Sequence, residues 1–172
     1  MKQTTVHLAP GDYFVGDARY RVRTLLGSCV SITLWNGAQR RGAMSHFLLA
    51  DRPQRPRPQD PLGLDARYGN EALTLMLRRL ARHDIRPQDC QAKVFGGANM
   101  FPRQGRSLRL PVGRRNGSAA TEWLAQAGIE VVSTSLFGIG YRVIIFDIAT
   151  GDVWARQAGG TEGEERPAPL RS

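Results

Sequence analysis

The chain has 172 residues, 41% of them hydrophobic, and a formal net charge of +9, with 24 Lys and Arg against 15 Asp and Glu. That length suits one domain with a sizeable core, and no apolar run is long enough to cross a bilayer. Two cysteines exclude a disulfide framework, and the start "MKQTTVHLAPGDYF" lacks the apolar stretch of a secretory signal, so a soluble cytoplasmic protein is expected.

The N-terminal third reads as strands. "TVHLA" alternates and stops at Pro10-Gly11, a turn pair. "YRVRTLL" alternates again, with Val22 and Thr24 on one side. After Gly27-Ser28, "CVSITLW" places Val30, Ile32 and Leu34 on one face and Cys29, Ser31 and Thr33 on the other. Asn36-Gly37 is a turn signal, and "RRGAMSHFLLA" reads as the returning strand, so the stretch from Thr24 to Ala50 is expected to be a hairpin. Residues 51–64 are Pro-rich and carry both charges, which predicts a flexible surface loop.

"GNEALTLMLRRLARHD" is the clearest helix. Leu73, Met76, Leu77 and Leu80 make one apolar stripe, and Asn70 is the expected N-cap. "AKVF" reads as a strand, "GGANMF" as a tight turn out of it, and "SLRLPVGRRN" as an extended piece ending in a turn. "GSAATEWLAQAG" predicts a second helix, capped by Ser118 and ended by Gly128. "IEVVSTS", "YRVIIFDI" and "VWAR" are strands, and residues 158–172 are expected to be disordered. The order predicts an α/β fold of the α+β type: a layered sandwich of mixed and antiparallel sheet with two main helices, in one domain over 1–157.

A catalytic cysteine needs a base, an accessible thiol and donors for an oxyanion. The hairpin brings His46 back beside Cys29, and the backbone amides of Gly27 and Ser28 are candidate oxyanion donors beside the thiol. Cys29 begins a strand, so no helix dipole lowers its pKa and His46 must activate it. Spacing alone favours the plainer reading, a small cysteine filling a core. Cys90 has no Gly-rich approach and reads as a packing residue, and His7 and His83 as ordinary positions. The cysteines and histidines form no ligand-spaced pair, so no metal and no cofactor are expected. The scattered arginines, among them Arg21, Arg23, Arg40, Arg41, Arg114 and Arg115, read as solvated faces, or as an attraction to an acidic protein; no nucleic-acid partner is expected.

"TLLGSC", "GAMSHFLL", "RYGNEAL", "AKVFGGANMF", "VGRRN" and "TGDVWA" occur in this order. With them the chain resembles, from about Val6 to Arg156, the chemoreceptor glutamine deamidase family (CheD) of bacterial chemotaxis. The resemblance implies a layered sandwich similar to that of bacterial toxin deamidases. It also implies a Cys-His-Thr constellation: Cys29 as nucleophile, His46 as base and Thr24 as the residue that orients it. The implied substrates are glutamines on the cytoplasmic helices of chemoreceptors, and the implied partner is a phosphatase of the chemotaxis response regulator. No membrane insertion is implied.

Two further expectations concern the motifs. In "VFGGANM", Gly96 and Gly97 read as a positive-φ turn, and Asn99 is a candidate donor to the substrate amide. In "FGIGYR", Phe137 and Tyr141 stand where the family usually has glycines, so the local turn is expected to differ. Rival readings are another thiol acyl transferase or protease, and a non-enzymatic chemotaxis adaptor.

Overall fold

The computed structural model describes residues 2–53, 63–102 and 109–158. Most of the Pro-rich stretch and of the C-terminal tail, residues 54–62 and 159–172, lie outside the described residues, and with them the flexible-loop and disordered-tail expectations. In chain order the elements are β1 (Thr4–His7), β2 (Tyr13–Asp17), β3 (Tyr20–Leu26), β4 (Val30–Asn36), β5 (Arg41–Ser45), α1 (Gly69–Ala81), β6 (Gln91–Gly96), α2 (Val112–Gln126), β7 (Glu130–Leu136), β8 (Tyr141–Asp147) and β9 (Val153–Ala158).

The strands form two sheets, one of order β1-β3-β8-β9 and one of order β2-β5-β4-β6-β7. The β1–β3 and β6–β7 pairs are parallel and the other pairs antiparallel. Both helices pack on the five-stranded sheet. Alternation along β4 explains the resulting three layers. Val30, Ile32 and Leu34 join Leu73, Met76, Leu80 and Leu124 in a core under the helices. Met44 and Phe95 of the same sheet meet Val22, Leu26, Ile144 and Phe146 of the other in a second core. Each large apolar side chain so enclosed contributes about 1.5–3 kcal/mol.

The sandwich agrees with the expected fold class, but three local expectations are corrected. Thr24 and Cys29 do not share a hairpin: β3 pairs with β8 in one sheet, while the hairpin is β4 with β5 in the other. Helix α1 starts from Tyr68, whose extended backbone caps it without a side-chain bond; Asn70 sits inside the first turn, its Oδ1 accepting from the Glu71 N–H. Helix α2 starts at Val112, not at Ser118, because "VGRRN" forms its opening turns after Pro111. The structure also adds a strand, β2, which pairs with β5; its strand formers Tyr13, Phe14 and Val15 make only a short run before Gly16. Gly128, at φ +70, does stand just past the end of α2.

Phe137 takes φ +70, between Gly138 at +76 and the end of β7. The bulky residue therefore adopts the backbone conformation that a glycine would. Its ring lies against Gly117 of α2 and under the Arg114 guanidinium, 4.8 Å from the ring centre. Buried Arg142 donates to the Ser135 and Phe137 carbonyls and so ties the turn to β8.

Candidate active site

The site lies at one end of the layer between the sheets. Thr24 occupies an inward position of β3 between Val22 and Leu26, and is buried. His46 follows β5 and is only 2% exposed. Its backbone N–H donates to the Asp12 carbonyl at 3.0 Å and its carbonyl accepts from Gly11 N–H at 2.8 Å, so the Pro10-Gly11 turn holds it. Beyond β5, Val30 and Phe47 exchange two backbone hydrogen bonds of 3.1 and 3.0 Å and continue the hairpin register. That register sets Ser31 opposite His46 and Cys29 one diagonal step away on the same face, a separation that side chains span.

Thr24 Oγ1 stands 2.6 Å from His46 Nδ1 and 2.9 Å from the Leu8 carbonyl oxygen. A backbone carbonyl only accepts, so the hydroxyl proton goes to Leu8 and Oγ1 accepts from Nδ1–H. The imidazole is thereby held with its proton on Nδ1 and a lone pair on Nε2, the form a general base needs. Burial pushes the His46 pKa down to about 4, the Asp12 carboxylate opposing weakly. Burial likewise pushes the Cys29 thiol up, while its own backbone N–H opposes. Both shifts favour a neutral thiol beside a neutral imidazole, and not a resting ion pair. Cys29 is half-buried, and Cys90 is buried and pushed up to about 11.

The loop before Cys29 is held from outside. Ala98 N–H donates to the Gly27 carbonyl at 3.0 Å and Gly97 N–H to the Cys29 carbonyl at 2.9 Å. Gly96 and Gly97 have φ of +106 and +68, as the turn reading requires, and a Cβ on Gly96 would lie 2.2 Å from the Cys29 carbonyl oxygen. Asn116, which the sequence did not single out, is buried in α2 and donates from Nδ2 to Ser28 O at 3.2 Å and Leu48 O at 2.8 Å. It borders a cavity of about 300 Å³ lined also by Leu49, Arg52, Val112 and Arg115. Met100 and Tyr141 flank Gly27. The Asn99 Oδ1 accepts from Phe101 N–H, and the Asn99 backbone bridges to the Ile139 segment.

Among the described residues no group of three or more His, Cys, Asp or Glu is gathered as a metal would require. No described helix is long and apolar enough to cross a membrane.

Comparison with known proteins matches residues 48–157 to the family model described as CheD chemotactic sensory transduction. Longer matches cover the Thr24, Cys29 and His46 region as well. A protein of Albidiferax ferrireducens named probable chemoreceptor glutamine deamidase CheD 2 is 57% identical over 91% of this chain and 88% of its own length. A protein of Chromobacterium violaceum named probable chemoreceptor glutamine deamidase CheD 1 is 41% identical over 94% of this chain and 82% of its own. A similarly named protein of Pseudomonas syringae pv. tomato is 39% identical over 87% and 86%. Among solved structures, the Bacillus licheniformis hypothetical protein YfiH overlays at a TM-score of 0.43 and 10% identity, over 81% of this chain and 60% of that one. On the family model and these relatives together, the chain belongs to the CheD family of chemotactic sensory transduction.

Proposed function

We propose that this protein is a protein-glutamine deamidase that converts glutamines on chemoreceptor cytoplasmic helices to glutamate, with residues 1–157 as its catalytic domain. The observation that carries the reading is the Leu8–Thr24–His46 relay, which leaves Nε2 of a neutral imidazole as base on the face that Cys29 shares. Membership of a family whose curated relatives are named chemoreceptor glutamine deamidase supplies the substrate class.

In this reading Nε2 of His46 takes the Cys29 proton as sulfur attacks the side-chain carboxamide carbon of glutamine. A C–S bond forms and the carbonyl electrons move to oxygen, where backbone amides of the Gly27–Cys29 loop stabilise them. The oxyanion collapses, the C–N bond breaks, and the imidazolium gives its proton to the departing ammonia. Water then attacks the thioester while His46 takes one of its protons; collapse releases glutamate, and the proton returns to sulfur. Burial disfavours the charged form of both Cys29 and His46, so the proton leaves sulfur for Nε2 as part of the attack and not from a resting ion pair.

Leu25, Phe101, Ile139 and Tyr141 are exposed apolar side chains on segments that border the Gly27 loop or its neighbours. They suit the apolar stripe of a receptor helix, and Asn99 is assigned to the same wall as a donor to the substrate carboxamide. The resemblance adds a response-regulator phosphatase as a partner, and a cytoplasmic setting follows from the substrate.

Ammonia release from a chemoreceptor cytoplasmic fragment, with Cys29→Ala beside the wild type and glutamine-to-glutamate conversion mapped by mass spectrometry, tests the proposal. Release by the wild type alone is expected. Equal release by both proteins, or none from any receptor fragment even with the phosphatase added, would overturn it.

A further inference from the structure

Three consecutive carbonyls around the nucleophile are engaged by groups outside the loop. Gly27 O accepts from Ala98 N–H, Ser28 O from Asn116 Nδ2, and Cys29 O from Gly97 N–H. In a planar trans peptide the N–H points away from the C=O of the same unit. Holding the Gly27 and Ser28 carbonyls therefore aims the N–H groups of Ser28 and Cys29 in the opposite direction. The third N–H, that of Val30, is used by Phe47 O at 3.1 Å. The donors so presented are those of Ser28 and Cys29, whereas the N–H of Gly27 belongs to a different peptide plane.

Of the three anchors, two are backbone groups of the Gly97-Ala98 turn. Asn116 is the single side chain among them, and it holds the plane whose other end is the Cys29 N–H. It reaches this point because Gly113, one turn earlier in α2, lies against Gly97 and Ala98, where a Cβ would stand 2.5 Å from a carbonyl oxygen. Its second bond, to Leu48 O, ties the loop to the segment just after His46. One buried carboxamide thus joins the nucleophile loop to the strand end that carries the base.

We infer that Asn116 is a positioning residue for the oxyanion site: it orients the Ser28–Cys29 peptide so that the Cys29 N–H meets the developing oxyanion. The inference rests on the thiol acyl chemistry proposed above, and on no particular glutamine substrate.

The two aspects separate in two reactions of the same sulfur. Alkylation of Cys29 by iodoacetamide displaces iodide and forms no oxyanion. Acylation by p-nitrophenyl acetate passes through one: sulfur bonds to the ester carbon, p-nitrophenolate leaves, and the thiol proton goes to His46. Both are followed by mass on Cys29, with Cys29→Ala as the blank. For Asn116→Ala and the isosteric Asn116→Asp, acylation is expected to slow at least roughly tenfold, since a misaimed oxyanion donor costs up to ~10²–10³ in rate. Alkylation is expected to stay within about twofold for Asn116→Ala, because direct displacement needs no such donor. For Asn116→Asp the added charge near sulfur slows alkylation as well, and the expectation is that acylation slows more.

Where the alanine variant does not fold, Asn116→Ser keeps a donor for one carbonyl and most of the packing. Parallel loss of both reactions would make Asn116 a general support of the loop and overturn the inference. So would unchanged acylation, or a wild type that acylates no faster than a free thiol. Deamidation of a receptor fragment is measured alongside. If the wild type fails there yet Asn116→Ala still loses acylation selectively, the substrate assignment falls and the positioning role stands.

Discussion

Thr24 Oγ1 and His46 Nδ1 lie 2.6 Å apart across the boundary between the two sheets, one residue on β3 and the other just beyond β5. The imidazole therefore has a defined tautomer only while both sheets are in place. A hydroxyl offers no full charge to the imidazolium, so under the proposed mechanism its removal should harm catalysis less than loss of Cys29 or His46. We expect Cys29→Ala and His46→Ala to abolish deamidation, Thr24→Val to reduce kcat by roughly 10²-fold, and Thr24→Ser to restore most of it. Steady-state kinetics on folded variants checks the order, and equal abolition by all three would refute it.

Stability depends on pH through the same histidine. His46 stays neutral down to about pH 4 in the folded chain, against 6.5 for an ordinary histidine. Between those values the unfolded chain binds the extra proton, so stability falls as pH drops from 6.5 and levels off near 4. The loss amounts to about 3 kcal/mol. Thermal unfolding from pH 7.5 to 4 should show this limb, and His46→Asn should flatten it. The Asp17 and Asp89 carboxyls, pushed down to about 2, lose their contribution below that window.

Cys29 should behave as a half-buried thiol of raised pKa. Its rate of alkylation is expected to climb with pH without levelling below about pH 9, since burial raises its pKa and no resting imidazolium opposes this. Cys90, more deeply enclosed, should label later. A plateau in the Cys29 profile near pH 6 would mean a resting ion pair instead.

Gly96→Ala is the most damaging small substitution to be expected near the site. Its Cβ would collide with the Cys29 carbonyl at 2.2 Å, on a backbone already at φ +106. Strain of ~1–3 kcal/mol adds to a shifted nucleophile. Deamidation should be lost while circular dichroism still reports a folded sandwich.

Phe137→Gly should be nearly silent for stability. Relief of the left-handed conformation returns ~1–2 kcal/mol, and loss of the ring on Gly117 and under Arg114 forfeits a similar amount. The melting temperature should move by no more than roughly 4 °C.

Much of this arrangement was legible in the residues themselves. Strict alternation in "YRVRTLL" and "CVSITLW" predicted β3 and β4 with their faces, and the Asn36-Gly37 turn brought His46 beside the strand of Cys29. What escaped depends on distant chain. Nothing local tells that β3 leaves its neighbour for β8, so the Thr24–His46 contact across sheets was carried by family resemblance alone. Helix α2 hides its first turns because Gly113 and Gly117 are poor helix formers. They are tolerated because each makes room, one for the Gly97-Ala98 backbone and one for the Phe137 ring. Asn116 carries no signal in "VGRRN"; its role exists only once that helix is docked. Strand β2 is a short edge strand whose run of strand formers, Tyr13 to Val15, ends at Gly16, and β5 is its one partner in the sheet.

The place of β3 has a consequence for the chain as it is made. Thr24 lies opposite Ile144, so the strand that carries it gains its antiparallel neighbour only after β8 has left the ribosome. The Cys29–His46 hairpin can form long before, from the first few dozen residues. A nascent chain thus holds Cys29 and His46 on one hairpin before the strand that carries Thr24 has its antiparallel partner. Assembly of the Thr24–His46 contact on a fully paired β3 therefore waits on the last third of the chain.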